Sequence, residues 1–272
     1  MSLRIQNNIP ALNAHRQLQI SDSGLSKSLE RLSSGYRVNR AADDAAGLAI
    51  SQGMRADIAS YRVANRNVSE ANALAQVAEG AYDQIVNMLV RLKELATQAA
   101  SANADKNLSK INSEGNQLVA EIDRIAAVTE YAGTTLLDGT FAGSFQVGAK
   151  NTANDRIDIS LSGVSTTDLT VSADQMLTAA GAQTFLATID TAIGILNDAR
   201  GGIGAIQNRL GYASANLATT IENVQAAESV IRDVDMAAEM TTFTKNQILL
   251  QAGTAMLAQA NMAPQVVLSL FG

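Results

Sequence analysis

"ISQGMRADIASYRVANRNVSEANALAQVAEGAYDQIVNMLVRLKELATQAA", Ile50 to Ala100, keeps one apolar register throughout. Its members alternate in steps of four and three: Ile50, Met54, Asp57, Tyr61, Ala64, Val68, Ala71, Ala75, Ala78, Tyr82, Ile85, Leu89, Leu92, Ala96 and Ala99, with Asp57 the one polar residue. Such steps hold side chains on one stripe of an α-helix, and a stripe this regular is the seam of helices lying side by side. The spacing predicts one helix from about Ala45 to Ala99, roughly 80 Å long at 1.5 Å per residue.

The other half of the chain repeats the pattern. Ala182, Phe185, Ile189, Ala192, Leu196, Ala199 and Ile203 begin a seam that runs to Val234 and is interrupted only by Thr220. A shorter helix between the two carries Leu108, Ile111, Leu118, Ile122 and Ile125 on one side, so three antiparallel helices can share a core. From Thr134 to about Val171 the character changes. Asp138-Gly139 reads as a turn, and "SFQVG" and "RIDISLSG" alternate with period two, predicting a β-hairpin with a polar loop near Asn151 to Asn154.

Two further helical segments lie at the extremities. Leu18, Leu25, Leu29, Leu32 and Tyr36 mark one seam before a stop at Ser33 to Gly35; Leu249, Ala252, Met256, Ala263, Val266 and Leu270 mark the other. The expected fold is therefore mainly α: a long antiparallel helical bundle or coiled coil with a small β-hairpin and with the N- and C-terminal helices paired. The corresponding division is 1–42 and 231–272 as the two halves of an inner coiled-coil domain, 43–180 as a helical rod with the hairpin, and 181–230 as the returning helix.

A pair of helices covers one face of each member, so Leu250, Leu257, Val267, Leu268 and Phe271 cannot all be hidden within one chain. At about 25 cal/mol per Å² of apolar area, several such side chains leave several kcal/mol to be gained from a partner. Identical copies are the simplest partner, and head-to-tail contacts between copies build rings or open helical assemblies. Self-assembly is accordingly expected through Leu18, Leu25, Leu29, Leu32, Leu249, Met256, Val266, Leu270 and Phe271.

Composition narrows the rest. Of 272 residues 47% are apolar but only 4% aromatic, with no Trp, which suits long alanine-rich helices packed closely. The two prolines, Pro10 and Pro264, leave the interior free of forced helix breaks. A net charge of -6 argues against a nucleic-acid groove, and zero cysteines exclude disulfides, thiolate catalysis and Cys-bound metal. No run is long and apolar enough to predict a membrane span, the first twenty residues lack the apolar block of a signal peptide, and "NQILLQAGTAMLAQAN" lacks the basic face of a membrane-surface helix.

The remaining polar motifs favour structural roles. Asp43 and Asp44 are adjacent at a helix start, where a carboxylate caps backbone N–H groups; on a helix they diverge by about 100° and suit no acid/base pair. Arg37 and Arg40 are candidate partners for them. "GGIGAIQ" (Gly201 to Gln207) lacks the third glycine and the preceding strand of a dinucleotide loop, and His15 alone builds neither a triad nor a zinc site. No catalytic residue, metal site or cofactor is predicted.

"LERLSSGYRVNRAADDAAGLAIS" (Leu29 to Ser51), "AEGAYDQI" and "VRLKELATQAA", with "GAIQNRLG", "QILLQAGTAMLAQAN" and "PQVVLSLFG" in the second half, resemble bacterial flagellin over about residues 1 to 130 and 180 to 272. The middle is short, so the chain is similar to a minimal flagellin without the variable outer domains. The resemblance implies a secreted, non-enzymatic subunit that polymerises into the flagellar filament for swimming. Its terminal segments would be disordered in the monomer and order on assembly as an inner tube, with an uncleaved N-terminus read by the type III export machinery.

Implied partners are further copies of the chain, an export chaperone on about Asp235 to Gly272, and the filament cap and junction proteins. A host Toll-like receptor is also implied, at Arg91, Leu95 and Glu114, with Arg91 and Leu95 partly outward. The alternatives are a hook–filament junction protein and a cytosolic coiled-coil adaptor with ordered ends.

Overall fold

The computed structural model describes residues 7–101 and 107–268, with side chains described through Met262 in the last helix. It contains five long α-helices: α1 (Ile9–Ser34), α2 (Ala45–Ala99), α3 (Leu108–Val128), α4 (Ala179–Arg232) and α5 (Met236–Leu268). Four short strands lie between α3 and α4, namely β1 (Glu130–Tyr131), β2 (Thr134–Thr135), β3 (Ala142–Gln146) and β4 (Arg156–Ser160). The chain divides into two compact units: a terminal one, Met1–Ala56 with Asn223–Gly272, and a central one, Asp57–Glu222.

The central unit holds the core. From α2 it takes Ala64, Val68, Ala71, Ala75, Ala78, Tyr82, Ile85, Leu89, Leu92, Ala96 and Ala99; from α4, Ala182, Phe185, Ile189, Ala192, Leu196, Ile203, Leu210 and Leu217. These are the seams that the spacing predicts. Polar contacts fix the direction of packing: Asn65 meets Ser214, Glu79 meets Gln207, Asp83 meets Arg200 and Lys93 meets Asp190, so one number rises as the other falls and the helices are antiparallel. α4 has a window apolar enough to cross a membrane by length and composition, yet its largest apolar side chains include this buried core face.

Toward the start of α2 the expected seam does not hold. Ile50 is exposed, while Ser51 and Ile58 are the buried positions. α3 closes the third side of the core with Ile111, Ile122 and Ala126, and its Gly115 lets the 3-10 turn Ala173–Leu177 approach. A Cβ on Gly115 would lie 2.1 Å from Met176 Cε, which is why a glycine sits mid-helix.

The hairpin forms where alternation predicts it, Phe145 opposite Ile157 and Gly143 opposite Ile159, with both isoleucines buried. A second, smaller hairpin pairs β1 with β2 across Ala132-Gly133, both with positive φ (52° and 80°) as a primed turn requires. The sequence reading has no counterpart for it, since Ala-Gly is a weak turn signal.

In the terminal unit α1 and α5 pair, as expected. α1 starts with Asn8 accepting from the Ala11 N–H and with Pro10 in its first turn, and ends at Gly35, whose φ of 76° closes the helix through an N–H bond to Arg31 O. α5 starts on Asp235, whose carboxylate accepts from the N–H groups of Ala237 and Ala238 at 2.9 and 3.1 Å. The pairing is antiparallel: Asn8 Nδ2 donates to Ala260 O at 2.8 Å, Gly24 abuts Asn246, and Arg31 meets Glu239 at 3.4 Å.

Candidate assembly surface

The α1–α5 pair has an unusual inner face. On α1 the buried residues are Ser21 and Ser28, and on α5 Glu239 is buried beside half-buried Phe243, Asn246, Leu250, Gly253 and Leu257. Small side chains let the helices approach: a Cβ at Gly24 would sit 2.9 Å from Asn246 Nδ2, and one at Gly253 would touch Leu18 at 3.6 Å. Among the described residues, Val38 is the only large apolar side chain that this unit buries fully.

Many of its apolar side chains lie instead on the outside. Ile9, Leu12, Ile20 and Leu29 of α1 are exposed, as are Met236, Met240, Ile248 (59%), Leu249 (41%), Met256 (64%) and Met262 of α5. α5 spans 33 residues with Glu239 and Lys245 as its only charges, and Glu239 faces inward. Its threonine hydroxyls are already satisfied, since Thr241, Thr242 and Thr244 each donate to the carbonyl four residues back at 2.9 to 3.1 Å. A face of methyl groups, thioethers and self-bonded hydroxyls loses little when water leaves it. Met240, Thr241, Thr244, Lys245 and Ile248 frame a shallow depression of about 450 Å³.

The expected assembly residues fall into three groups. Leu18, Leu25 and Leu32 are half-buried and Leu29 is exposed. Leu249 and Met256 are exposed, so they are not the intrachain seam of α5: that seam is Phe243, Leu250 and Leu257, one position on, and of the five side chains expected not to be hidden all together Leu250 and Leu257 are half-buried. Apolar residues surround α5, so spacing alone selects no stripe; the contacts of Glu239 with Arg31 and of Asn246 with Gly24 set its rotation. The Val266 side chain, Leu270 and Phe271 lie outside the described residues.

The turn between α1 and α2 is held by charge. Asp44 Oδ1 accepts from the Gly47 N–H at 2.8 Å and caps α2. Asp43 accepts from Lys27 Nζ at 2.8 Å and from the N–H groups of Arg40 and Asn39, and Lys27 above all holds its carboxyl down at about 2. Arg37 and Arg40 do not pair with these carboxylates: Arg40 binds Glu30 at 2.8 Å, and Arg37 donates from Nη2 to Ile231 O. Beside them the Arg232 guanidinium stacks over the Tyr36 ring, 4.1 Å from its centroid.

In the central unit, Arg91 and Glu114 come together at the surface. Arg91 binds Glu94 at 2.8 Å and Glu114 through both Nε (3.1 Å) and Nη2 (2.8 Å), and the two carboxylates raise the guanidinium pKa further. Leu95 is not part of that surface. Expected partly outward, it is 2% exposed within the core, because α3 lies along this part of α2 and widens the buried stripe beyond Leu92 and Ala96.

Comparison with known proteins agrees with this architecture. The family model of the bacterial flagellin N-terminal helical region matches residues 5–142, and that of the C-terminal helical region matches residues 186–271. A flagellin of Halalkalibacterium halodurans is 44% identical over 268 residues, 98% of each chain. A flagellar filament 33 kDa core protein of Treponema phagedenis is 40% identical over 282 aligned residues, covering 98% of this chain and 99% of that one. The crystal structure of Bacillus cereus flagellin superposes with a TM-score of 0.51 at 30% identity, over 56% of this chain and 88% of that one. The two family models together span most of the chain and its relatives match it over nearly its whole length, so the chain belongs to the bacterial flagellin family.

Proposed function

We propose that this chain is a structural subunit that polymerises into the bacterial flagellar filament, and that α1 and α5 supply much of the contact between subunits. The observation that carries the reading is the inversion of the terminal unit, which buries serines and a glutamate while Ile248, Leu249 and Met256 stand in water. A stable monomer has no use for that arrangement, whereas stacked copies remove the apolar surface from water. The relatives named for the flagellar filament support the same conclusion and do not favour a junction protein or a cytosolic adaptor.

Purified chain is added to filament fragments and elongation followed by electron microscopy. Ile248→Lys is expected to keep the helical content of the monomer and to lose elongation by more than about tenfold, the scale of one strong interface residue. Equal elongation by the variant would remove α5 from the contact, and failure of the unaltered chain to extend any fragment would remove the filament reading.

Secretion, export by the type III route and capture of the α5 region by a chaperone are what membership of the flagellin family implies; the uncovered apolar helix supports the chaperone, since such a surface needs a cover until assembly. Cap and junction proteins would meet the same ends of the chain. The structural role calls for no catalytic group. For the innate-receptor reading the support is confined to the exposed Arg91–Glu114 cluster, with Leu95 beneath it.

A further inference from the structure

The chain has eight methionines and no cysteine, so thioethers are its only oxidisable sulfur. Their distribution is uneven. Met176 is wholly buried against Gly115, Met88 and Met54 are half-buried, and the four on α5 stand open: Met236 (49%), Met240 (49%), Met256 (64%) and Met262 (54%). We propose that the α5 methionines are a modification site, at which sulfoxidation by a peroxide or hypohalous acid turns off the assembly of the unpolymerised subunit. This rests on the filament reading above and adds a chemical control to the same surface.

The chemistry needs nothing from the protein beyond exposure. With hydrogen peroxide a sulfur lone pair attacks oxygen, the O–O bond breaks as the S–O bond forms, the sulfur is oxidised by two electrons and water leaves; with a hypohalous acid the sulfur takes the halogen, water then displaces it as halide, and a proton is released. Met240 borders the depression that also contains Thr244 and Ile248, so the new S–O dipole appears on a face whose other groups, Lys245 excepted, are apolar or already satisfied. A neighbouring copy docking there must desolvate a strong acceptor, and among the residues lining the depression Lys245 is the one whose side-chain donors are not already given to the backbone. Reduction by two thiols, as a sulfoxide reductase uses them, returns the thioether, a disulfide and water.

The test uses the full chain. Monomer is treated with dilute hydrogen peroxide, sulfoxides are located by peptide mass, and elongation on filament fragments is measured before and after treatment with a methionine sulfoxide reductase and dithiothreitol. Met236, Met240, Met256 and Met262 are expected to oxidise before Met88 and Met176, elongation to fall by about tenfold or more, as loss of a satisfied interface group implies, and the reductase to restore it. A variant with Leu at all four positions, close to Met in volume, should elongate and ignore peroxide. Oxidised monomer that elongates normally, or a loss that the reductase cannot reverse, overturns the proposal. Failure of untreated chain to elongate instead overturns the filament reading on which it stands. Should the quadruple variant not fold, oxidation and reduction of the unaltered chain decide the matter.

Discussion

The two units of this chain use the same kind of helix to opposite ends. In the central unit large side chains point inward: Tyr82, Phe185, Ile85, Leu89 and Leu92 are sealed from water, and the surface carries ion pairs such as Arg124–Glu121 and Lys93–Asp190. In the terminal unit the fully covered groups of the helix pair are Ser21, Ser28 and Glu239, the seam of Phe243, Leu250 and Leu257 is only half-covered, and Leu12, Ile248, Leu249 and Met256 point outward. The central unit hides its large side chains within one chain, whereas the terminal unit, on the filament reading proposed above, reaches its full burial only with further copies. Amphipathicity therefore marks which part of a polymer subunit folds for itself.

The sharpest way to break the contrast is to injure each unit and ask where the damage shows. Phe185→Ala empties the middle of the core and should cost about 3–5 kcal/mol in denaturant unfolding of the monomer. Met256→Ala or Leu249→Ala removes comparable apolar volume from an exposed face and should change monomer stability by no more than about 0.5 kcal/mol, while slowing elongation on filament fragments. If the outward pair destabilised the monomer as much as Phe185→Ala does, the terminal unit would own a hidden core and the comparison would fail.

Between these extremes lies the ion pair that joins α1 to α5. Glu239→Ala strands Arg31, whose Nε already lacks a partner, and should loosen the α1–α5 pair by about 1–3 kcal/mol. Amide hydrogen exchange along both helices reads the change, and exchange in the central unit should stay as it was.

How much of this was legible depends on segregation of apolar residues. The seams from Tyr61 to Ala99 and from Ala182 to Leu217 are read directly, because large and small residues alternate on one stripe and charge occupies the rest. The rotation of α5 is not, since Leu249 and Leu250, or Met256 and Leu257, are equal candidates where hydrophobicity surrounds the helix. Glu239 and Asn246 decide it, and their partners Arg31 and Gly24 lie more than 200 residues away in sequence. Leu95 is misplaced by a related cause, because a stripe read from one helix does not show that a third helix will widen it. For the assembly surface the sequence discloses the excess of apolar residues at the ends, but not which of them one partner helix already covers.

Within the central unit, Tyr82 joins the core to the segment after the hairpin by donating its hydroxyl to Ser162 O at 2.8 Å. Tyr82→Phe should cost about 1 kcal/mol near neutral pH. Burial pushes the phenol up to about 12, above its ordinary value of 10.0, so the folded state favours the neutral form. That contribution is whole below pH 10 and is lost as pH rises through about 12. Phe does not titrate, so the stability gap between the two proteins should close across that range in pH-dependent unfolding; a gap that stayed constant across it would place the hydroxyl in water.

The smallest effect tests whether the turn of the terminal unit depends on charge rather than burial. Asp43 sits about two pH units below an ordinary carboxyl, first because Lys27 donates to it and then because the Arg40 N–H does. A lowered value favours the ionised form in the folded state, so the contribution is present above pH 4 and is lost as pH falls toward 2. Protection of the Asn39 and Arg40 amides should therefore decline over that interval in the unaltered chain and be weak and flat in Asp43→Asn. Added salt should shallow the decline, since the Lys27 side of the pair is open to water. A midpoint near the ordinary carboxyl value would mean that Lys27 does not hold Asp43 in solution, and the turn would then rest on Val38, the one apolar side chain sealed beside it.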